Sequence, residues 1–220
     1  MTPTKRYALI CFFIYLVVGV SCSFSPIHRA AWLMENVMIV AFVGVLICLF
    51  IKGCILSRIS YTILLAACVV HTIGAYYSFP NVPLGNWLKD LFDLSRNPYD
   101  RMGHFLCGTL AYPLMDIAMQ REWFSSRLLA AVYQIFFILA IGALYEIWEW
   151  LVIIYTEHTM GLIYVGAQGD EWDAQADLTC CLFGSICSVV LFCILYHKNN
   201  KHLCKKLGSF KPQCPKTPQA

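Results

Sequence analysis

GDEWDAQADLTCCLFGSICSVVLFCILY, Gly169 to Tyr196, is the stretch whose reading decides the fold. Its apolar part is roughly twenty residues long, enough to cross about 30 Å of hydrocarbon as a helix. Four acids stand at its entrance. Asp170, Asp173 and Asp177 are spaced three and four apart, so a helix stacks them on one face while Glu171 points elsewhere. Carboxylates at the mouth of a membrane helix need something opposite them.

The rest of the chain is built for the same solvent. Of its 220 residues, 59% are hydrophobic and only 13% charged, and the mean hydropathy is +0.63, the composition of a polytopic membrane protein. The expected fold is all-α, a membrane helix bundle of about six transmembrane helices. These lie near 7–24, 32–51, 59–79, 100–119, 128–155 and 174–196. Residues 1–197 form the six-span domain and 198–220 a basic tail. The fifth segment is long, so it is expected to tilt or protrude. Gly142 is its only interruption, and no broken helix is evident.

Lys and Arg favour cytoplasmic loops. With both termini cytoplasmic, the inner side holds Lys5, Arg6, Lys52, Arg58, Arg121, Arg127 and the six tail lysines from Lys198 to Lys216, twelve of the sixteen basic residues. The outer side keeps Arg29, Lys89, Arg96 and Arg101. The net charge of +3 follows from this inner excess and suits membrane lipid as partner. No groove-reading motif or aromatic-basic platform points to nucleic acid, and nothing names a protein partner.

The start, MTPTKR before an apolar run and VSCS, has the layout of a signal peptide, but Gly19 makes GVSC a poor lipoprotein box, and the segment is read as a span. Most of the twelve cysteines lie inside apolar spans, where they act as small hydrophobes. Cys204 and Cys214 in the tail are expected to be reduced, and no Cys/His zinc spacing appears. The loop Ser78 to Arg101 places Trp87, Leu88, Leu91 and Phe92 at helical spacing after two prolines, which predicts a short interfacial helix.

Placed by depth, the ionisable residues converge. Asp100 and His104 open span four within YDRMGH, and Glu146 and Glu149 share a face of span five within YEIWEW. At 1.5 Å per residue Glu149 and Glu146 lie about 9 and 13 Å below Tyr155, respectively. His71 lies in the outer half of span three. Six carboxylates facing lipid would total about 15 to 20 kcal/mol at roughly 2.5 to 3.5 each. That exceeds a typical net stability. They are therefore expected to face the bundle interior, compensated by cations, protonation or water. Arg96 and Arg101 are too few for six acids, and a bound divalent cation is the natural remedy.

Carboxylates with imidazole suit Mg²⁺, Mn²⁺, Ca²⁺ or Zn²⁺ without choosing among them. The candidate ligands are Asp100, His104, Glu146, Asp170, Asp173 and Asp177. The candidate catalytic groups are Glu146, Glu149 and His104, with a spare carboxylate as general base for metal-bound water. Plainer readings stand beside these. His71 reads as a hydrogen-bonded packing residue and Glu35 as an acid favouring a helix N-terminus. Asp116 is expected to pair with Arg121 or Arg127, DRMGH reads as capping as readily as chemistry, and Trp148, Trp150 and Trp172 fit an interface belt as well as a substrate pocket.

The run from Gly74 to Ser185, carrying YDRMGH, YEIWEW and GDEWDAQADL, resembles the YjdF family of bacterial inner-membrane proteins, with its pattern YDRxGH, YExxEW and GDxWDxQxDM. The pattern falls on Tyr99, Asp100, Arg101, Gly103, His104, Tyr145, Glu146, Glu149, Trp150, Gly169, Asp170, Trp172, Asp173, Gln175 and Asp177. Leu178 replaces its Met, and LMDI at Leu114 to Ile117 replaces an Arg-Glu pair. The resemblance implies six spans in the bacterial inner (cytoplasmic) membrane, in a family without known function. A looser similarity, Asp and His opening one helix and acids before a small-residue helix with Gly184, is to VanZ-like proteins. Two functional classes follow: a metal-dependent hydrolase or transferase acting on a lipid or lipid-linked substrate at the outer leaflet, or a proton- or cation-coupled carrier. A structural membrane protein whose polar cluster only fixes helix packing is the third. The absence of an inverted repeat and the one-sided acids favour the enzyme.

Overall fold

The computed structural model describes residues 1–156 and 166–206, with side chains to residue 196. The tail beyond residue 206 lies outside the described residues. Every described element is helical: α1 (Pro3–Ser21), α2 (Arg29–Ile51), α3 (Arg58–Tyr77), a 3₁₀ turn (Phe79–Asn81), α4 (Pro83–Leu91), α5 (Tyr99–Thr109), α6 (Ala111–Gln120), α7 (Arg127–Tyr155) and α8 (Asp173–Lys206). Local sequence explains the starts. Thr2 accepts from the Lys5 N–H with Pro3 at the first helical position, Ser57 accepts from the Ser60 N–H, and Ser126 from the Leu129 N–H.

Five of these helices, α1, α2, α3, α7 and α8 as far as Tyr196, are long and apolar enough to cross a membrane. The remaining expected crossing, 100–119, is two short helices instead of one. Pro113 has no N–H to give the Thr109 carbonyl, and its ring crowds that carbonyl, so α5 ends at Thr109. Leu110 stays right-handed helical (φ −63°, ψ −12°), and α6 continues the path. The apolar length of the segment concealed this break, although Pro113 stands inside it.

The bundle core lies where α6, α7 and α8 meet, with Ala111, Tyr112, Met115, Ile138, Cys181 and Phe192 buried together. α1 flanks α3, joined by the Tyr7 and Thr62 hydroxyls at 2.8 Å, and leaves Phe13 and Val17 exposed to lipid. The loops sort to two ends. At one, Ser57 and Ser60 donate to Asp116, and Gln120 donates to both Asp116 and the Ile55 carbonyl. Asp116 thus caps the start of α3 in place of the expected arginine pairing, among the described residues. Lys52, Arg58, Arg121 and Arg127 border this basic end.

At the other, acidic end, the predicted interfacial helix is α4, with Leu84, Trp87 and Leu91 exposed along one face. Asn97 is its anchor: the buried amide donates to the Pro80 and Val82 carbonyls and to Asn86, and accepts from the Tyr99 N–H. Gln168 exchanges two hydrogen bonds with the Asn97 backbone, at 2.9 and 3.1 Å, from a left-handed conformation (φ 56°). The segment before α8 is thereby fastened to the loop before α5. The ten described cysteines are all free.

Candidate functional site

Backbone contact between α5 and α8 builds the site. A Cβ on Gly108 would collide with the Cys181 carbonyl and one on Gly184 with the Phe105 carbonyl. Only glycines let the helices come this near. The closeness sets Asp100 and His104, one turn apart on α5, against Asp177 on α8. Each of the three offers a ligand atom, these atoms all lie within 4.8 Å of one another, and all three residues are buried. Opposite, α7 presents Glu146, whose Oε1 lies 3.4 Å from His104 Nε2, while Asp100 Oδ1 lies 3.8 Å from the same nitrogen. Glu149, one turn further along α7, is also buried.

Two more helices reach the cluster. Glu35 of α2 is 3% exposed and accepts from the Tyr145 hydroxyl at 2.8 Å. His71 Nε2 of α3 stands 3.4 Å from a Glu35 carboxylate oxygen and 3.4 Å from its carbonyl oxygen. The His104 ring meets the Tyr145 ring edge to face, which links the two groups. Several atoms in this interior have no hydrogen-bond partner: His104 Nδ1, Asp177 Oδ1 and Glu146 Oε1. Such groups are rare when buried, and each marks a place for a proton, a water or a cation.

The outermost acids are treated differently. Arg96, only 5% exposed, pairs with Asp173 and lies 3.5 Å from Asp170, which Arg101 also contacts. Asp170 precedes α8 rather than standing on its face, and accepts from the Trp172 N–H at 3.0 Å. That backbone N–H, then Arg101 and Arg96, hold its carboxyl below the usual aspartate value of 3.8.

Of the residues expected at the site, the structure brings Asp100, His104, Glu146 and Asp177 together, with Glu149 one turn above Glu146. It sets Asp173 and Asp170 on arginines at the rim. Trp150 and Trp172 are exposed, as a belt requires. Sequence reasoning missed Glu35. Its signal was present: it is the only acid in the 23 residues of α2. With the span read as starting at Trp32, Glu35 fell in the first turn, but the helix starts at Arg29, and Glu35 lies beyond reach of the N-terminal dipole.

In chemical terms, three carboxylates and an imidazole converge with few compensating charges, an oxygen-rich donor set of the kind that holds a hard or borderline cation. Comparison with known proteins adds kinship. Residues 7–199 match the family described as Predicted membrane protein (DUF2238). Inner membrane protein YjdF of Escherichia coli (strain K12) is 30% identical over 207 residues, spanning 92% of this chain and 91% of that protein. No solved structure matches. By this match over most of its length, and with YjdF as a relative, the chain belongs to the DUF2238 family of membrane proteins.

Proposed function

We propose that this is a metal-dependent membrane enzyme of the inner membrane, where its relative YjdF is named, acting at the outer leaflet on a lipid or lipid-linked substrate. The observation that carries the reading is the buried set Asp100, His104 and Asp177, with unpartnered atoms on His104, Asp177 and Glu146. These three and Glu146 would hold a divalent cation that offsets two of their three negative charges and would supply polarisation of a phosphoryl or carbonyl oxygen and acidification of a water. Glu149 is the spare carboxylate that takes the water's proton. The loops carry four basic residues at each end, and the excess at the end away from the cluster comes from Lys5, Arg6 and the tail lysines; by the positive-inside rule this supports an outward-facing cluster.

The test is elemental analysis of the purified protein. The expected result is a stoichiometric divalent metal, lost in Asp177→Asn and Glu146→Gln but kept in Asp170→Asn, whose carboxylate serves Arg101. A metal-free wild type would overturn the reading. The break between α5 and α6 favours a second one, a cation-coupled carrier, because discontinuous helices recur at transport sites. Ion flux in proteoliposomes that disappears in Glu146→Gln would support it.

A further inference from the structure

A cavity of about 600 Å³ runs from the acidic cluster toward the basic end of the bundle. His71, Asp100, His104 and Tyr145 line its polar end; beyond them its walls are apolar, with Phe42, Leu46 and Leu49 of α2 facing Leu114, Ile117 and Ile138. From Met38 to Leu49, the stretch of α2 that lines it, the path is about 16 Å, about half of the hydrocarbon thickness. Walls this apolar, leading from a polar end, suit a hydrocarbon chain with a polar head.

The cavity has a side door. Met38 and Val45 of α2 and Phe137 and Ile141 of α7 line it and are nonetheless 41%, 57%, 41% and 42% exposed. The deep wall, with Leu64, Cys68 and Ile138, is buried. Among the described residues, α2 and α7 meet near the acidic end, where Ala31 packs on Val152 and Tyr145 reaches Glu35. Below that bridge they part around the cavity. An opening at this level of two membrane-length helices faces hydrocarbon, so the occupant enters from the bilayer.

We infer that the site takes an amphiphile whose single flexible hydrocarbon chain lies in this cavity, entering between α2 and α7, with its phosphate head at Asp100, His104 and Asp177. The head assignment rests on the proposed cation, since five acids repel a bare phosphate; the chain assignment rests on the cavity alone.

The probe is dodecyl phosphate with a terminal diazirine, photolysed with the full chain in phosphatidylcholine vesicles. The expected label falls at the deep end, on Leu46, Leu49 or Leu114, and drops about tenfold in Ile141→Trp, which blocks the exposed mouth, but not in Phe13→Trp on the lipid face of α1. If Ile141→Trp does not fold, Val45→Trp on the facing helix replaces it. Label spread over lipid-facing α1 positions such as Phe13 and Val17, or unchanged by a folded mouth variant, overturns the inference. Deep labelling in protein that elemental analysis finds metal-free sinks the metal reading and leaves the chain site standing. Stoichiometric metal without deep labelling does the reverse.

Discussion

Gly184→Ala tests whether the site depends on backbone contact between α5 and α8. The added methyl would be driven into the Phe105 carbonyl oxygen, 3.0 Å from its carbon and 3.2 Å from Gly108 Cα, all backbone atoms that cannot rotate away. The helices must part by on the order of 1 Å, at a cost of about 1 to 3 kcal/mol. For a chain of this size that is a fall of roughly 2 to 12 °C in Tm. The parting also separates Asp177 from Asp100 and His104, so metal retention should fall about tenfold or more. Thermal unfolding in detergent, read by size-exclusion chromatography, gives the first quantity and elemental analysis the second. Gly44→Ala is the control: nothing lies within 4 Å of its Cβ position, and alanine is the better helix former, so its Tm should hold or rise. If Gly184→Ala melts with Gly44→Ala, the close contact is not what holds α8 against α5.

Two further outcomes follow from the acidic end. Asn97→Ala removes several buried side-chain hydrogen bonds at once and should cost about 2 to 4 kcal/mol, with hydrogen exchange accelerated in α4; exchange unchanged there would contradict its role as the anchor. Asp170, its carboxyl held below 3.8 by the Trp172 N–H and the two arginines, stabilises the fold when ionised. That contribution is full above about pH 4 and is lost as pH falls through the depressed folded value. The Tm advantage of wild type over Asp170→Asn should therefore be flat from pH 7 to about 4 and vanish below it. An advantage that instead grows on acidification would contradict this.

The spans were legible because lipid imposes one simple rule, a long apolar run, and the carboxylates stood out because that rule makes them costly. α4 was legible too, from prolines and the spacing of Trp87 and Leu91. What escaped depends on tertiary contact. Pro113 announces a break only when its missing donor is matched to the Thr109 carbonyl, inside a segment of spanning length. Asn97 and Gln168 are ordinary loop residues until the fold sets them together across 71 positions. Gly108 and Gly184 gain their meaning from each other.

The division of the acids into two tiers has a physical reason that sequence spacing concealed. Arg96 and Arg101 neutralise Asp173 and Asp170 at the rim, two cations for two anions. Beneath them lie Asp100, Asp177, Glu146, Glu149 and Glu35; among the described residues the groups able to carry positive charge within 4 Å of these acids are His104 and His71, while Arg96 and Arg101 reach Asp100 from the rim. Two like charges 4 Å apart repel by about 4 kcal/mol at an effective dielectric of 20, so five carboxylates cannot all stay ionised there uncompensated. The rim arginines fix which acids remain available. By pairing with Asp170 and Asp173 they leave the inner tier, at the polar end of the apolar cavity, as the place where negative charge lacks a direct arginine partner. The proposed cation would sit there, and a cluster that only fixes helix packing would have to be balanced by protons instead, which is the difference elemental analysis reads.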